Sequence, residues 1–177
     1  KVSGDSIIWP VQQFKPAKFE SSFPSVVFDN KVSIFSKEKW KFNGNWNVFK
    51  VKSWDGKTET EQAMFSKSRG DEIEFEFNGT GISLMGNWVK DGGKADIYLD
   101  GKYHRSIDTY YNYSKQEHRN ISIWHVFQLK PGKHSVKVVV KGEKNKEAQD
   151  SNIYVTEAII YRTGAKKSDL YKFSFEK

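Results

Sequence analysis

From Trp46 onward the chain alternates apolar and polar positions with a period of two. In DEIEFEFNG, residues 71–79, Ile73, Phe75 and Phe77 alternate with Glu72, Glu74 and Glu76, the mark of a strand with one dry face and one wet face. Ala95, Ile97 and Leu99 alternate in the same way with Asp96, Tyr98 and Asp100, and His134, Val136, Val138 and Val140 with Ser135, Lys137 and Lys141. No stretch carries the 3.6-residue period of an amphipathic helix. The punctuation is equally regular: NGTG at 78–81, DG at 100–101 and PG at 131–132 each separate two alternating runs and predict hairpin turns. Strands are predicted at roughly 47–53, 62–67, 72–77, 82–87, 94–99, 102–107, 120–128, 133–141 and 153–161. An all-β, antiparallel jelly-roll β-sandwich of about nine strands follows. Residues 1–30, with Pro10, Pro16 and Pro24, are less periodic and read as a wrapping or edge-strand segment; 31–163 read as the sandwich and 164–177 as a basic C-terminal segment.

If successive strands run antiparallel, alternate connections lie at opposite ends of the sandwich. Counting then sends the tight turns NGTG, DG and PG, together with DGKTETE at 55–61, to one end. The other end receives FNGNW at 42–46, SRGD at 68–71, GNWVKDGG at 86–93, DTYYNYSKQEHR at 108–119 and KGEKNKEAQDSN at 141–152. An antiparallel connection needs about two to five residues, so the surplus length at one end points to binding. Those loops carry Trp46, Arg69, Trp88, Asp108, Tyr110, Tyr111, Tyr113, Arg119 and Asn145. Ring faces that pack on pyranose C–H groups, beside side chains that bond hydroxyls, make up the inventory of a sugar site. Each tryptophan alone is equally well read as a plug for the open end of the core.

Composition sharpens this picture only in places. At 37% hydrophobic and 15% aromatic residues the chain holds too much apolar material for a disordered segment, and 177 residues suit one compact domain. The absence of cysteine excludes disulfides and cysteine-based metal sites or nucleophiles. No apolar run approaches bilayer length, and no charged n-region followed by an apolar segment reads as a secretory signal; a chain that starts at Lys1 reads as a mature or excised segment from which any targeting peptide is missing. The net charge of +7 is dispersed: Lys137 and Lys141 occupy a solvated strand face, and Lys166, Lys167, Lys172 and Lys177 a tail. With the aromatics in loops at one end and not interleaved with cations along an open sheet, nucleic-acid binding is not expected.

Catalytic motifs fail to assemble. GTGISLMG has glycines at 79, 81 and 86 without dinucleotide-binding spacing and without a following helix, and Ser83 lies within a strand and not on a nucleophile elbow. GDSI at 4–7 looks like the nucleophile block of GDSL esterases, yet no buried parallel strand precedes it and no Asp-x-x-His follows. His104, His118, His125 and His134 show no zinc spacing, and His125 and His134 fall on inward strand phases where a hydrogen-bonded core histidine is the expected role. No carboxylate pair marks a glycosidase. The sequons at Asn78, Asn112 and Asn120 are given no role.

Read together, FEFNGTGISLMGNWVKDGGKADIYLDGKY, IDTYY and FQLKPGKHSVKVVVKGEKN resemble the galactose-binding-like jelly-roll modules attached to bacterial carbohydrate-active enzymes, and the β-sandwich domain that precedes the catalytic domain in some carbohydrate esterases. The resemblance covers roughly Trp46 to Tyr161, and its Gly-Thr-Gly, Leu-Asp-Gly and Pro-Gly-Lys-His motifs are fold determinants. It implies a noncatalytic accessory module, secreted, periplasmic or on the bacterial surface, that binds an oligo- or polysaccharide at the loop-rich end. An appended catalytic domain is the implied partner, and no membrane insertion is implied. Members of this fold also serve as protein-interaction or spacer domains. They often hold a structural calcium, for which no ligand set is matched here; no other cofactor is expected.

Overall fold

The computed structural model describes residues 26–36, 38–113 and 117–163. Every regular element among them is a strand. In chain order these are β1 (Val26–Ser33), β2 (Trp40–Asn43), β3 (Asn47–Lys52), β4 (Glu59–Ser66), β5 (Glu72–Gly79), β6 (Gly81–Trp88), β7 (Gly93–Leu99), β8 (Lys102–Asp108), β9 (His118–Val126), β10 (Gly132–Lys144) and β11 (Ile153–Thr163). One sheet has the order β2-β5-β10-β7-β8, the other β3-β4-β11-β6-β9 with β1 also on β11, and all ladders are antiparallel.

The period-two pattern explains the layers. In the five-stranded sheet Val136 lies between Phe75 and Leu99, and Val138 between Ile73 and Ile97, so three strands present one apolar row inward. Facing them are Ile82 and Leu84 of β6 and Ile153, Val155, Ala158 and Ile160 of β11, all in the buried core. The opposite face of the five-stranded sheet is laced with ion pairs: Lys133 to Glu76, Lys137 to Glu72 and Lys141 to Asp96. Partly exposed pairs of this kind contribute only tenths of a kcal/mol each, but they keep the face wetted.

Two strands lie outside the predicted nine. β2 has four residues, too few to show a period, and the alternation of β1 is interrupted by a register shift between Phe28 and Asn30. β1 crosses the expected segment boundary at 30, so the sandwich begins by Val26. The GDSI motif and the 164–177 segment lie outside the described residues. His125 corrects an expectation: it is exposed, because the β6–β9 register shifts between Leu84 and Met85 and turns the consecutive residues Ile123 and Trp124 into the core. The DG hairpin has left-handed φ at both Asp100 (50°) and Gly101 (74°), the combination that matches strand twist.

His134 is largely buried against Phe77, as its inward phase predicts. Burial by itself disfavours its charged form, yet its bonds to the Lys130 carbonyl oxygen and the Asp100 carboxylate outweigh this and raise its pKa above the ordinary histidine value of 6.5. For Asp100 burial acts upward and is outweighed by the bonds from His134 and the Ser135 N–H, which lower its pKa below 3.8. The histidine's contribution is complete below pH 6.5 and lost as pH rises through its folded value; the aspartate's is present above pH 3.8 and lost on acidification. His134→Gln is therefore expected to lower the unfolding midpoint more at pH 5.5 than at pH 8.5, by up to about 1 kcal/mol of difference given the exposed aspartate. An equal loss at both pH values in thermal unfolding would show that the pair contributes through packing alone.

Candidate functional site

The ladders settle where each connection lies. Asn43 pairs with Glu72, Asn47 with Phe65, Ile153 with Ser66, Trp88 with His118 and Gly93 with Lys144, so the five connections 44–46, 67–71, 89–92, 109–117 and 145–152 share one end. The other end has Ser53–Thr58, Thr80, Asp100–Gly101 and 127–131.

The long loops are knitted to one another through main-chain groups. Val89 N donates to Thr109 O, Tyr111 N to Val89 O, and Val89 and Tyr110 form a parallel bridge. Thr109, fully buried, binds Gly93 O through both its N–H and its hydroxyl. Gly92 and Gly93 permit this crossing, because a methyl on either would sit within 2.3 Å of a carbonyl oxygen of Thr109 or Ser151. Across the same junction Asp91 Oδ2 accepts bonds from Asn152 Nδ2 at 2.8 Å and from the Tyr154 hydroxyl at 2.7 Å. Burial first, and then the Asp91 carboxylate, push the Tyr154 phenol well above its ordinary pKa, so it stays a proton donor at all physiological pH.

The predicted residues divide into groups. Trp88 lies 6.5 Å from Tyr111, which is 5.5 Å from Tyr113 and 4.5 Å from His118, measured between ring centroids. This ladder runs from the core, against which Trp88 packs, to Tyr113, which is 89% exposed. Trp88 Nε1 and the Tyr110 hydroxyl are buried here without a hydrogen-bond partner among the described residues. Asp108 and Asn145 spend an oxygen on their own turns, bonding Tyr110 N at 3.0 Å and Glu147 N at 3.2 Å. Arg69 is exposed beside Gly142 at the end of β10.

Trp46 and Arg119 stand farther from the ladder. Trp46 is half-buried, packs on the core and donates its indole N–H to Asn43 O and Glu72 O, which is the plug geometry. Arg119 stands over the Phe49 ring at 4.7 Å on the outer face of the six-stranded sheet and pairs with Glu117 at 2.6 Å. His118 is the member that the sequence does not reveal, since its contribution comes from cross-strand pairing with Trp88 and not from any spacing motif. Among the described residues no three His, Asp or Glu side chains are grouped so as to hold a metal ion.

No protein-family model matches the chain, and no curated protein matches it. Solved structures do. A two-domain esterase active on acetylated mannans, co-crystallized with mannopentaose, is 15% identical over 76% of this chain and 38% of its own, with a TM-score of 0.53. A Paenibacillus xanthan lyase is 12% identical over 79% of this chain and 14% of its own, with a TM-score of 0.49. The CBM36-1 domain of a multidomain xylanase from the hindgut metagenome of Trinervitermes trinervoides is 12% identical over 77% of this chain and 98% of its own, with a TM-score of 0.44. The chain thus spans well under half the length of the esterase and of the lyase. With two antiparallel sheets, no helix among the described residues and the esterase likeness, the chain is an antiparallel jelly-roll β-sandwich of the fold present in that esterase.

Proposed function

We propose that the protein is a noncatalytic carbohydrate-binding accessory module that holds an appended enzyme on a glycan outside the cell. The observation that carries this reading is the ladder of Trp88, Tyr111, Tyr113 and His118 among five converging loops. A rigid, main-chain-tied loop set costs little entropy on binding, and rings with few rotatable bonds offer flat faces to sugar C–H groups. Tyr113 and Tyr111 supply the accessible faces, with Trp88 as the support beneath them. Asp108, Arg69, Asn145 and Trp46 form the surround, with Trp46 bracing its loop.

Two stacked rings at about 1 kcal/mol each and a few solvated hydrogen bonds give dissociation constants of about millimolar to micromolar. Manno-oligosaccharides head the panel, because the esterase of the same fold was co-crystallized with mannopentaose. In calorimetric titration Tyr113→Ala is expected to weaken the tightest neutral oligosaccharide by about fivefold and Tyr111→Ala by about tenfold, with folding retained. Undiminished binding in both variants would remove the ladder from the site. The opposite pole supports a second reading, an interaction domain of a larger enzyme: Trp54, fully exposed on the Ser53–Thr58 turn, is a natural contact for a neighbouring domain. Failure of every sugar to bind, together with burial of Trp54 in the longer polypeptide, would favour it.

A further inference from the structure

We infer that a second ligand groove crosses the outer face of the six-stranded sheet and takes a neutral, hydroxyl-rich oligosaccharide chain. This rests on the carbohydrate-binding reading above and gives it a site separate from the loop end.

The groove exists because β11 changes partners along one edge. β4 pairs with residues 153–155 and β1 with residues 157–163, while the ladder to β6 shifts register between Val155 and Glu157. A bulge of this sort re-aims side chains, and here both Thr156 and Glu157 form the floor of a depression of about 330 Å³. Ser33, Phe35 and Glu61 bound it on one side, and Asn87 and Arg119 on the other. That size falls at the lower end of small-ligand pockets.

The floor is unusual for the outside of a sheet in being polar and buried at once. Asn87 is 2% exposed, Glu157 7% and Thr156 8%. A relay crosses three strands: the Asn120 N–H donates to Asn87 Oδ1 at 3.1 Å, and the Thr156 hydroxyl donates to Asn120 Oδ1 at 2.6 Å. Asn120 holds a left-handed φ of 52°, a conformation that asparagine tolerates better than most residues, and this places its side chain in the relay. Glu157 is neutralised by Lys31 at 2.8 Å, whose side chain is 53% exposed and free to yield to another donor. The outer face of the five-stranded sheet is instead laced with partly exposed ion pairs.

The chemistry of the lining selects the ligand class. Carboxylates at Glu157 and Glu61 accept, a guanidinium at Arg119 donates, and the amides and hydroxyls do both, which suits vicinal hydroxyls that also donate and accept. Glu157, Glu61 and Glu117 against Lys31, Lys50 and Arg119 leave no net charge to attract an anion, so a uronic-acid chain gains nothing over a neutral one. Phe35 supplies the apolar flank.

The test is a backbone-amide NMR titration of the intact chain with neutral manno-, gluco- and xylo-tetraose and with tetragalacturonate, repeated on Arg119→Ala and Thr156→Val, with Tyr113→Ala as the loop-end control. The expected result is that a neutral tetraose shifts Asn87, Asn120, Thr156 and Glu157. Arg119→Ala and Thr156→Val should each weaken that response about fivefold, while Tyr113→Ala leaves it unchanged. Shifts confined to Trp88, Tyr111 and Tyr113 would overturn the groove and leave the carbohydrate-binding reading standing. Shifts by tetragalacturonate alone would overturn the assignment of a neutral ligand, and no shift with any sugar would overturn both. Dispersed, native-like spectra of the two groove variants exclude misfolding as the cause of a lost response.

Discussion

Replacing Gly86 by alanine is expected to cost about 3 kcal/mol or more of stability. The cause is local and steric. On β6 Gly86 pairs with Val155 of β11 and Ile121 of β9 between two register shifts, one after Val155 and the other after Gly86 itself. This draws the strands together, and a Cβ at Gly86 would lie 2.1 Å from the Tyr154 carbonyl oxygen and 2.9 Å from Ile123 Cδ1. The carbonyl belongs to a paired strand and cannot turn aside, so β6 and β11 must separate over a core containing Leu84 and Val155. For a chain of this size the loss corresponds to a fall of roughly 6–12 °C in unfolding midpoint. Gly70→Ala is the control: φ there is +86°, but a methyl meets no atom within 4 Å, so only the left-handed strain of about 1–2 kcal/mol applies. Equal midpoints for the two variants in thermal unfolding would mean that the strands relax freely around Gly86.

Gly86 also shows which features the sequence makes legible. Its place in GTGISLMG invites a phosphate-loop reading that spacing refutes, and the hairpin expected at NGTG is corrected too: β5 and β6 lie in different sheets, as do the strands flanking PG, and Gly79 and Gly81 are required by close approach, a Cβ lying 2.6 Å from Tyr161 O and 2.9 Å from Val126 O respectively. The close approach that requires Gly86 belongs to a pairing between residues 86 and 155, which nothing local announces. β5, with an undisturbed ladder on each side, is readable from alternation because its inward row is continuous, and so are β7 and β10 over 95–99 and 136–140, where the ladder between them is regular. Bulged strands are not: β9 turns Ile123 and Trp124 inward together, and so His125 faces water. Antiparallel counting places the long loops together, since it depends only on the number of reversals. It does not tell which loop residues converge. Trp46 and Trp88 share an end, yet one has its indole N–H tied to main-chain oxygens and the other backs an aromatic ladder completed by His118. Arg119 illustrates the same limit, since one residue beyond His118 the strand phase carries it to the outer sheet face.

Asp71→Ala is the second large effect, expected at about 2–4 kcal/mol, and it tests what holds the loop-rich end together. Asp71 is 6% exposed, and its Oδ2 accepts from the Asn45 N–H at 2.9 Å and from the hydroxyl of buried Ser66. Its main chain bonds Ser68 O and Val140 N, so one residue ties the 67–71 turn to β10 and to the connection on which Trp46 rides. Alanine leaves two donors facing a void, whereas asparagine keeps an acceptor oxygen for both and should lose only about 1 kcal/mol. Gly44 supplies an independent reading of the same contact. It has φ of +94°, and a Cβ on it would sit 2.1 Å from Asp71 Oδ1, so Gly44→Ala carries a clash in addition to backbone strain. With Asp71 already alanine the carboxylate is gone and only a tight 3.1 Å contact to its Cβ and the strain of about 1–2 kcal/mol remain, which predicts a double variant more stable than the sum of the two losses. Denaturant unfolding of the four proteins measures that coupling. Strict additivity, or equal losses in Asp71→Ala and Asp71→Asn, would show that neither the acceptor position nor the packing on Gly44 sets the geometry of this end, and the brace for Trp46 would have to be sought in its own bonds to Asn43 and Glu72.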